Sequence, residues 1–70
     1  MKILFIDTAH PFLWDSMIAD GHDCIAADRF SLDEIYSQLA DTNGIIIRSR
    51  VTIDKKFLDK ATALKFIARC

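Results

Sequence analysis

The stretch "GIIIRSRVT", Gly44–Thr52, decides how this chain is read. Its first half is an apolar run of three isoleucines with no polar alternation, the pattern of a strand covered on both faces. Its second half changes abruptly to Arg48, Ser49 and Arg50. Two guanidinium groups and a hydroxyl suit a carboxylate or a phosphate, because arginine presents a planar fork of donors to paired oxygens. The spacing therefore predicts a strand over Gly44–Arg48 that ends in an anion-holding loop.

A strand of that kind needs helices above and below it, and the flanking sequence supplies them. Downstream, Thr52 is expected to cap a helix whose inner face is Ile53, Phe57, Ala61 and Leu64. The closing residues "LKFIARC", 64–70, read as another strand. Upstream, "SLDE" at 31–34 is a capping box opening a helix with Leu32, Ile35, Tyr36 and Leu39 on one stripe, and "DTNG" at 41–44 ends it. Asp23–Ala26 is a short strand. Phe12, Leu13, Trp14, Met17 and Ile18 recur at helical spacing behind Pro11, which the first helical turn tolerates, and Gly21 stops that helix. "KILFID", Lys2–Asp7, is the first strand.

Strands and helices thus alternate along the chain, the signature of a parallel sheet with helices on both faces. Right-handed crossovers leave few topologies, and the expected one is a flavodoxin-like three-layer sandwich with a four-stranded parallel sheet in the order 2-1-3-4. Ligands of such sheets sit beyond the carboxyl ends of the strands, where the order reverses. "DTAHP", residues 7–11, and "RSRV", residues 48–51, meet at that point. Arg48, Ser49 and Arg50 are the candidate substrate or anion-binding residues, with the free amides of the helix after Thr52 facing the same space. The competing reading pairs one arginine with Asp7 across the neighbouring strand end and leaves the other in solvent. His10 could line the same pocket, but no nucleophile or carboxylate stands at a telling distance, so no catalytic residue is assigned. Trp14 and Met17 could face a partner, yet aromatic residues at helical spacing are usually core. His22 is a turn residue.

Composition narrows the function. Seventy residues form one domain with little stability to spare, too small for a complete multidomain enzyme. A hydrophobic fraction of 51%, a charged fraction of 27% and a net charge of −1 describe a globular chain without the basic excess of a nucleic-acid binder. No apolar run approaches the roughly 20 residues that span a bilayer, and the first residues lack a signal peptide's layout, so no membrane partner and a cytoplasmic setting are expected. Cys24 and Cys70 fit neither a disulfide framework nor a paired metal site, and are expected as reduced thiols with no metal bound. An apolar strand leading to Asp7 is also how phosphoacceptor receiver domains begin. Those need an aspartate at the end of strand 3, where this chain has arginine.

The segment "GIIIRSRVTIDKKFLDKATALKFIARC", residues 44–70, closely resembles the strand, arginine-bearing loop, helix and next strand of the substrate domain of D-isomer-specific 2-hydroxyacid dehydrogenases, the phosphoglycerate dehydrogenases most of all. "MKILFID" and "IADGHDCIAAD", residues 1–7 and 18–28, fit the first strand, helix end and second strand of that family. The resemblance spans essentially the whole chain. It implies an NAD-dependent oxidation of a 2-hydroxy acid in the parent enzyme, with Arg48 helping to hold a small anionic substrate. It also implies a piece of that enzyme, residues 1–70 forming a single partial domain of the substrate-binding region. The family's glycine-containing carboxylate loop, its G-x-G-x-x-G cofactor turn and its catalytic arginine, acid and histidine have no counterpart here. The chain itself is therefore expected to bind no NAD and to be inactive alone. The other reading is a stand-alone flavodoxin-like binding or interaction module with a small-anion site. In either case an unpaired strand edge near Cys70 is expected to favour a homodimer.

Overall fold

In the computed structural model, which describes residues 1–69, four short strands and three helices alternate along the chain. They are β1 (Lys2–Phe5), α1 (Pro11–Ala19), β2 (Asp23–Ala26), α2 (Leu32–Gln38) followed by a 3-10 turn (Leu39–Asp41), β3 (Gly44–Ile47), α3 (Lys55–Lys60) and β4 (Phe66–Arg69). All strand pairs are parallel and the sheet order is β2-β1-β3-β4, so the fold is the flavodoxin-like α/β arrangement that the alternation implies.

The sheet separates two apolar layers. On one face Leu4, Ile6, Ile45 and Ile47 are wholly buried beneath Ile35 and Leu39 from the α2 segment and Phe57 and Ala61 from α3. On the other, Ile3, Phe5 and Ile46 pack beneath Leu13, Trp14 and Met17 of α1. The Trp14 ring meets Phe5 edge-on, with centroids 5.0 Å apart. Trp14 and Met17 are therefore core residues. Phe12 and Ile18, expected on the same inner face, are instead 73% and 48% exposed, because α1 reaches the sheet through the narrower stripe at 13, 14 and 17.

The helix ends follow from local chemistry. Ser31 and Glu34 form a reciprocal capping box: the Glu34 amide donates to Ser31 Oγ at 3.2 Å and the Ser31 amide to Glu34 Oε1 at 3.1 Å. Gly21, with φ of +87°, takes the left-handed position that ends α1, and the Gly21 and His22 amides donate to the carbonyls of Ile18 and Met17. The third helix departs from expectation. Its cap is Asp54, whose carboxylate accepts the Phe57 amide at 2.9 Å, so Thr52 lies in the preceding loop and the helix starts at Lys55.

Two residues bind the amino-terminal end of the sheet together. The Asn43 side chain accepts from the Lys2 amide at 3.0 Å and donates to the Ala63 carbonyl at 3.2 Å. Gly44 is needed for a different reason: a Cβ there would stand 2.3 Å from Phe66 Cζ and 2.8 Å from Ile3 Cδ1. The Phe66 ring lies across the backbone of β3 in the space a side chain would need. The expected fourth strand, residues 64–70, is realised as Phe66–Arg69, with Leu64 already packed in the core; Cys70 and its thiol lie outside the described residues.

Candidate functional site

At the carboxyl ends of β1 and β3 the chain makes two loops, residues 7–10 and 48–54, and Asp7 ties them together. Its Oδ2 accepts the Arg48 amide at 2.6 Å and, more weakly, the Arg50 amide at 3.4 Å. The carboxylate thus holds the arginine loop by its backbone, through charge-assisted bonds. Neither guanidinium pairs with it.

The two arginines diverge from this anchor. Arg50 turns towards β2, where Nη1 donates to the carbonyls of Ile6 at 3.1 Å and Ala27 at 2.8 Å, and Nη2 donates to the Phe30 carbonyl. Those carbonyls lie beyond the last residues of β1 and β2 and just before α2, so one side chain adds to the backbone bonds that the Ala27 amide makes to Phe5 and the Phe30 amide to Ala27. Arg50 also borders a cleft of about 350 Å³ with Tyr36, Thr52 and Asp54. The charged groups of that cleft are already engaged, Arg50 by carbonyls and Asp54 as the cap of α3.

Arg48 turns the other way. It is exposed and lines a cleft of about 440 Å³ together with Thr8, Ala9, His10 and Leu13, at the switch between β1 and β3. Its guanidinium has no ion-pair partner among the described residues. Its carbonyl accepts Nη1 of Arg69 at 2.9 Å, which brings a second guanidinium to the end of β4 beside this loop. His10 caps α1, its Nδ1 accepting the Phe12 amide at 3.1 Å. That bond places the ring proton on Nε2. A hydroxyl at Thr8 and the Arg48 fork therefore border one open space that attracts a small anion, whereas the first amides of α1 are already taken, Phe12 by His10 Nδ1 and Leu13 by the His10 carbonyl. Ser49 is exposed between the two arginines.

A third cleft, about 240 Å³, shares Thr8 and Ala9 with this one but is bordered by Asp7, Asp28 and Trp14. With two carboxylates and no basic side chain in its lining, it repels anions and leaves the Arg48 side as the place for one. Among the described residues no group of three or more histidine, cysteine or acidic side chains could hold a metal ion, and no helix is long and apolar enough to cross a membrane.

Arg48, Ser49 and Arg50 follow the carboxyl end of β3, but their side chains do not converge on one point. Neither Arg69 nor the anchoring function of Asp7 is legible in the sequence. An acceptor of backbone amides leaves no mark in the sequence, and Arg69 reaches the loop only through the parallel pairing of β3 with β4. No family model matches the chain, and no curated protein matches it.

Proposed function

We propose that this chain is the amino-terminal part of the substrate domain of an NAD-dependent D-2-hydroxyacid dehydrogenase, most similar to those that oxidise 3-phosphoglycerate for serine synthesis. In this reading Arg48 holds the anionic end of the substrate. The observation that carries it is the position of Arg48, open and without an ion-pair partner among the described residues, at the switch between β1 and β3 in a sheet of the order that such substrate domains use.

The part each residue plays follows from its surroundings. The Arg48 fork attracts the carboxylate or phosphate, and Thr8 in the same cleft can donate a hydroxyl, while Ser49 is exposed on the loop next to Arg48. Asp7 fixes the loop that carries Arg48, and Arg50 fixes the floor beneath it. NAD and the proton-transfer groups belong to the parent enzyme. The chain has only two glycines, Gly21 and Gly44, and a dinucleotide-binding G-x-G-x-x-G turn needs three. Residues 1–70 accordingly bind and orient but do not oxidise, and a cytoplasmic setting belongs to the same reading.

Calorimetric titration with 3-phosphoglycerate tests it, with glycerol as the uncharged control. Weak binding that declines as salt is raised and disappears in Arg48→Gln supports the assignment; equal heats from the variant refute it. The second reading, a self-contained anion-binding module, rests on the same cleft. The natural coding sequence beyond Cys70 separates them: a downstream G-x-G-x-x-G favours the dehydrogenase, and an immediate stop favours the module.

A further inference from the structure

The two edge strands of the sheet carry opposite charge at their first residues. β2 is preceded by Asp20, opens on Asp23 and is followed by Asp28 and Arg29, and β4 is preceded by Lys65 and ends on Arg69, all exposed. The register relates them level by level across the sheet. Ile25 pairs with Leu4, Leu4 with Ile45 and Ile45 with Ile67, so Ile25 and Ile67 stand at one height. By the same steps Cys24 is level with Phe66 and Ala26 with Ala68. One residue earlier, Asp23 is level with Lys65.

The hydrogen-bonding phase matches as well. The amides of Asp23 and Ala27 donate inward to Met1 and Phe5, so the polar backbone groups of Cys24 and Ala26 face outward from β2. The Phe66 amide donates inward to Asn43, which leaves those of Ile67 facing outward from β4. In a parallel ladder a residue facing its neighbour bonds the residues on either side of its level partner, and Ile67 opposite Ile25 meets this condition with Cys24 and Ala26.

We propose that the β4 edge of one copy pairs in parallel with the β2 edge of a second copy, continuing the sheet in the same register. The contact sets Lys65 beside the second copy's Asp23, Ile67 beside its Ile25 and Ala68 beside its Ala26, while Arg69, whose Nη1 stays on the Arg48 carbonyl of its own copy, is level with Ala27. Opposite charges meet at the start of the contact, and apolar residues follow them. The symmetric alternatives bring like charges together: antiparallel β4 with β4 about Ile67 sets Lys65 opposite Arg69, and antiparallel β2 with β2 lays one acidic edge along another. The favoured contact is head-to-tail, so a dimer formed through it keeps one free edge of each kind and adds further copies. This inference rests on the sheet edges and stands apart from the Arg48 reading.

Sedimentation velocity over a wide range of protein concentration, under reducing conditions, tests it. The unaltered chain is expected to grow beyond the dimer as concentration rises. Lys65→Glu puts an acidic group opposite Asp23 and Asp23→Lys puts a basic group opposite Lys65, so each variant alone should associate about tenfold more weakly, the effect of replacing attraction by repulsion at that level of the strand pair. Mixed in equal amounts, the two variants present complementary edges again and should recover assembly, an outcome that loss of folding cannot mimic. A chain that stays monomeric, an assembly that stops at the dimer, or a mixture no more associated than its components overturns the proposal.

Discussion

At Arg50 a guanidinium is spent on three backbone carbonyls, while two positions earlier Arg48 faces an open cleft. Substitution should separate these uses. Arg50→Gln leaves the carbonyls of Ile6, Ala27 and Phe30 without their shared donor and should lower stability by about 1–2 kcal/mol, allowing for the exposure of the side chain. Arg48→Gln should change stability by less than about 0.5 kcal/mol. Thermal unfolding of both variants checks the contrast; equal losses would show that Arg48 is structural too. The sequence could not distinguish the two arginines, since both sit one or three residues past an apolar strand. What separates them is the Asp7 carboxylate, which fixes the backbone so that one side chain turns to each side. At Asp41 the hydrogen bond from the Lys2 ammonium, 2.6 Å away, holds the carboxyl below its usual value of 3.8. A depressed folded-state value gives stability that is present above about 3.8 and lost as pH falls through the lower folded value. Asp41→Asn should therefore flatten stability against pH in that acidic window and leave the neutral range almost untouched; an unchanged acid limb in fluorescence-monitored unfolding would contradict this.

Among the elements, the helix starts and the strand positions were largely legible, because capping residues and unbroken apolar runs signal them locally. The "SLDE" box and the glycine after α1 act as their sequence implies. The start of α3 was misplaced because "TIDKK" offers two cap residues, and Asp54 is the one that lets Phe57 reach the core while its amide is satisfied. Asp54→Ala should cost about 1 kcal/mol, the usual loss for removing such a cap, whereas Thr52→Ala should cost much less. Denaturant midpoints distinguish these, and the reverse order would restore Thr52 as the cap. In β3 the glycine permits the close passage of Phe66. Gly44→Ala should destabilise by about 1–3 kcal/mol through overpacking, and adding Phe66→Leu should recover part of the loss by relieving the contact. Simple additivity of the two substitutions would mean that the ring does not occupy that space.

Over the whole molecule, sheet order could be read from the alternation of strand and helix, since handedness rules leave few ways to connect four parallel strands. The site was legible only as an address. The carboxyl ends of β1 and β3 were foreseeable, but the division of labour among Asp7, Arg48, Arg50 and Arg69 depends on contacts between residues some 20 to 44 positions apart. The same division explains how a small sheet can present a charged loop without collapsing it: the groups that fix the loop are satisfied by backbone, and Arg48 is left facing the open cleft. Because the chain carries no dinucleotide turn, mixing it with NAD and 3-phosphoglycerate should yield no reduced nicotinamide by absorbance, and turnover above a buffer control would contradict the proposed division between this chain and its parent. Amide chemical-shift mapping during a phosphate titration reports on the cleft at Arg48 residue by residue. The largest and earliest shifts are expected at Thr8, Ala9, His10 and Arg48, suppressed in Arg48→Gln; shifts concentrated at Ser31, Gly21 or the Arg50 side of the sheet would rule out an anion site at Arg48.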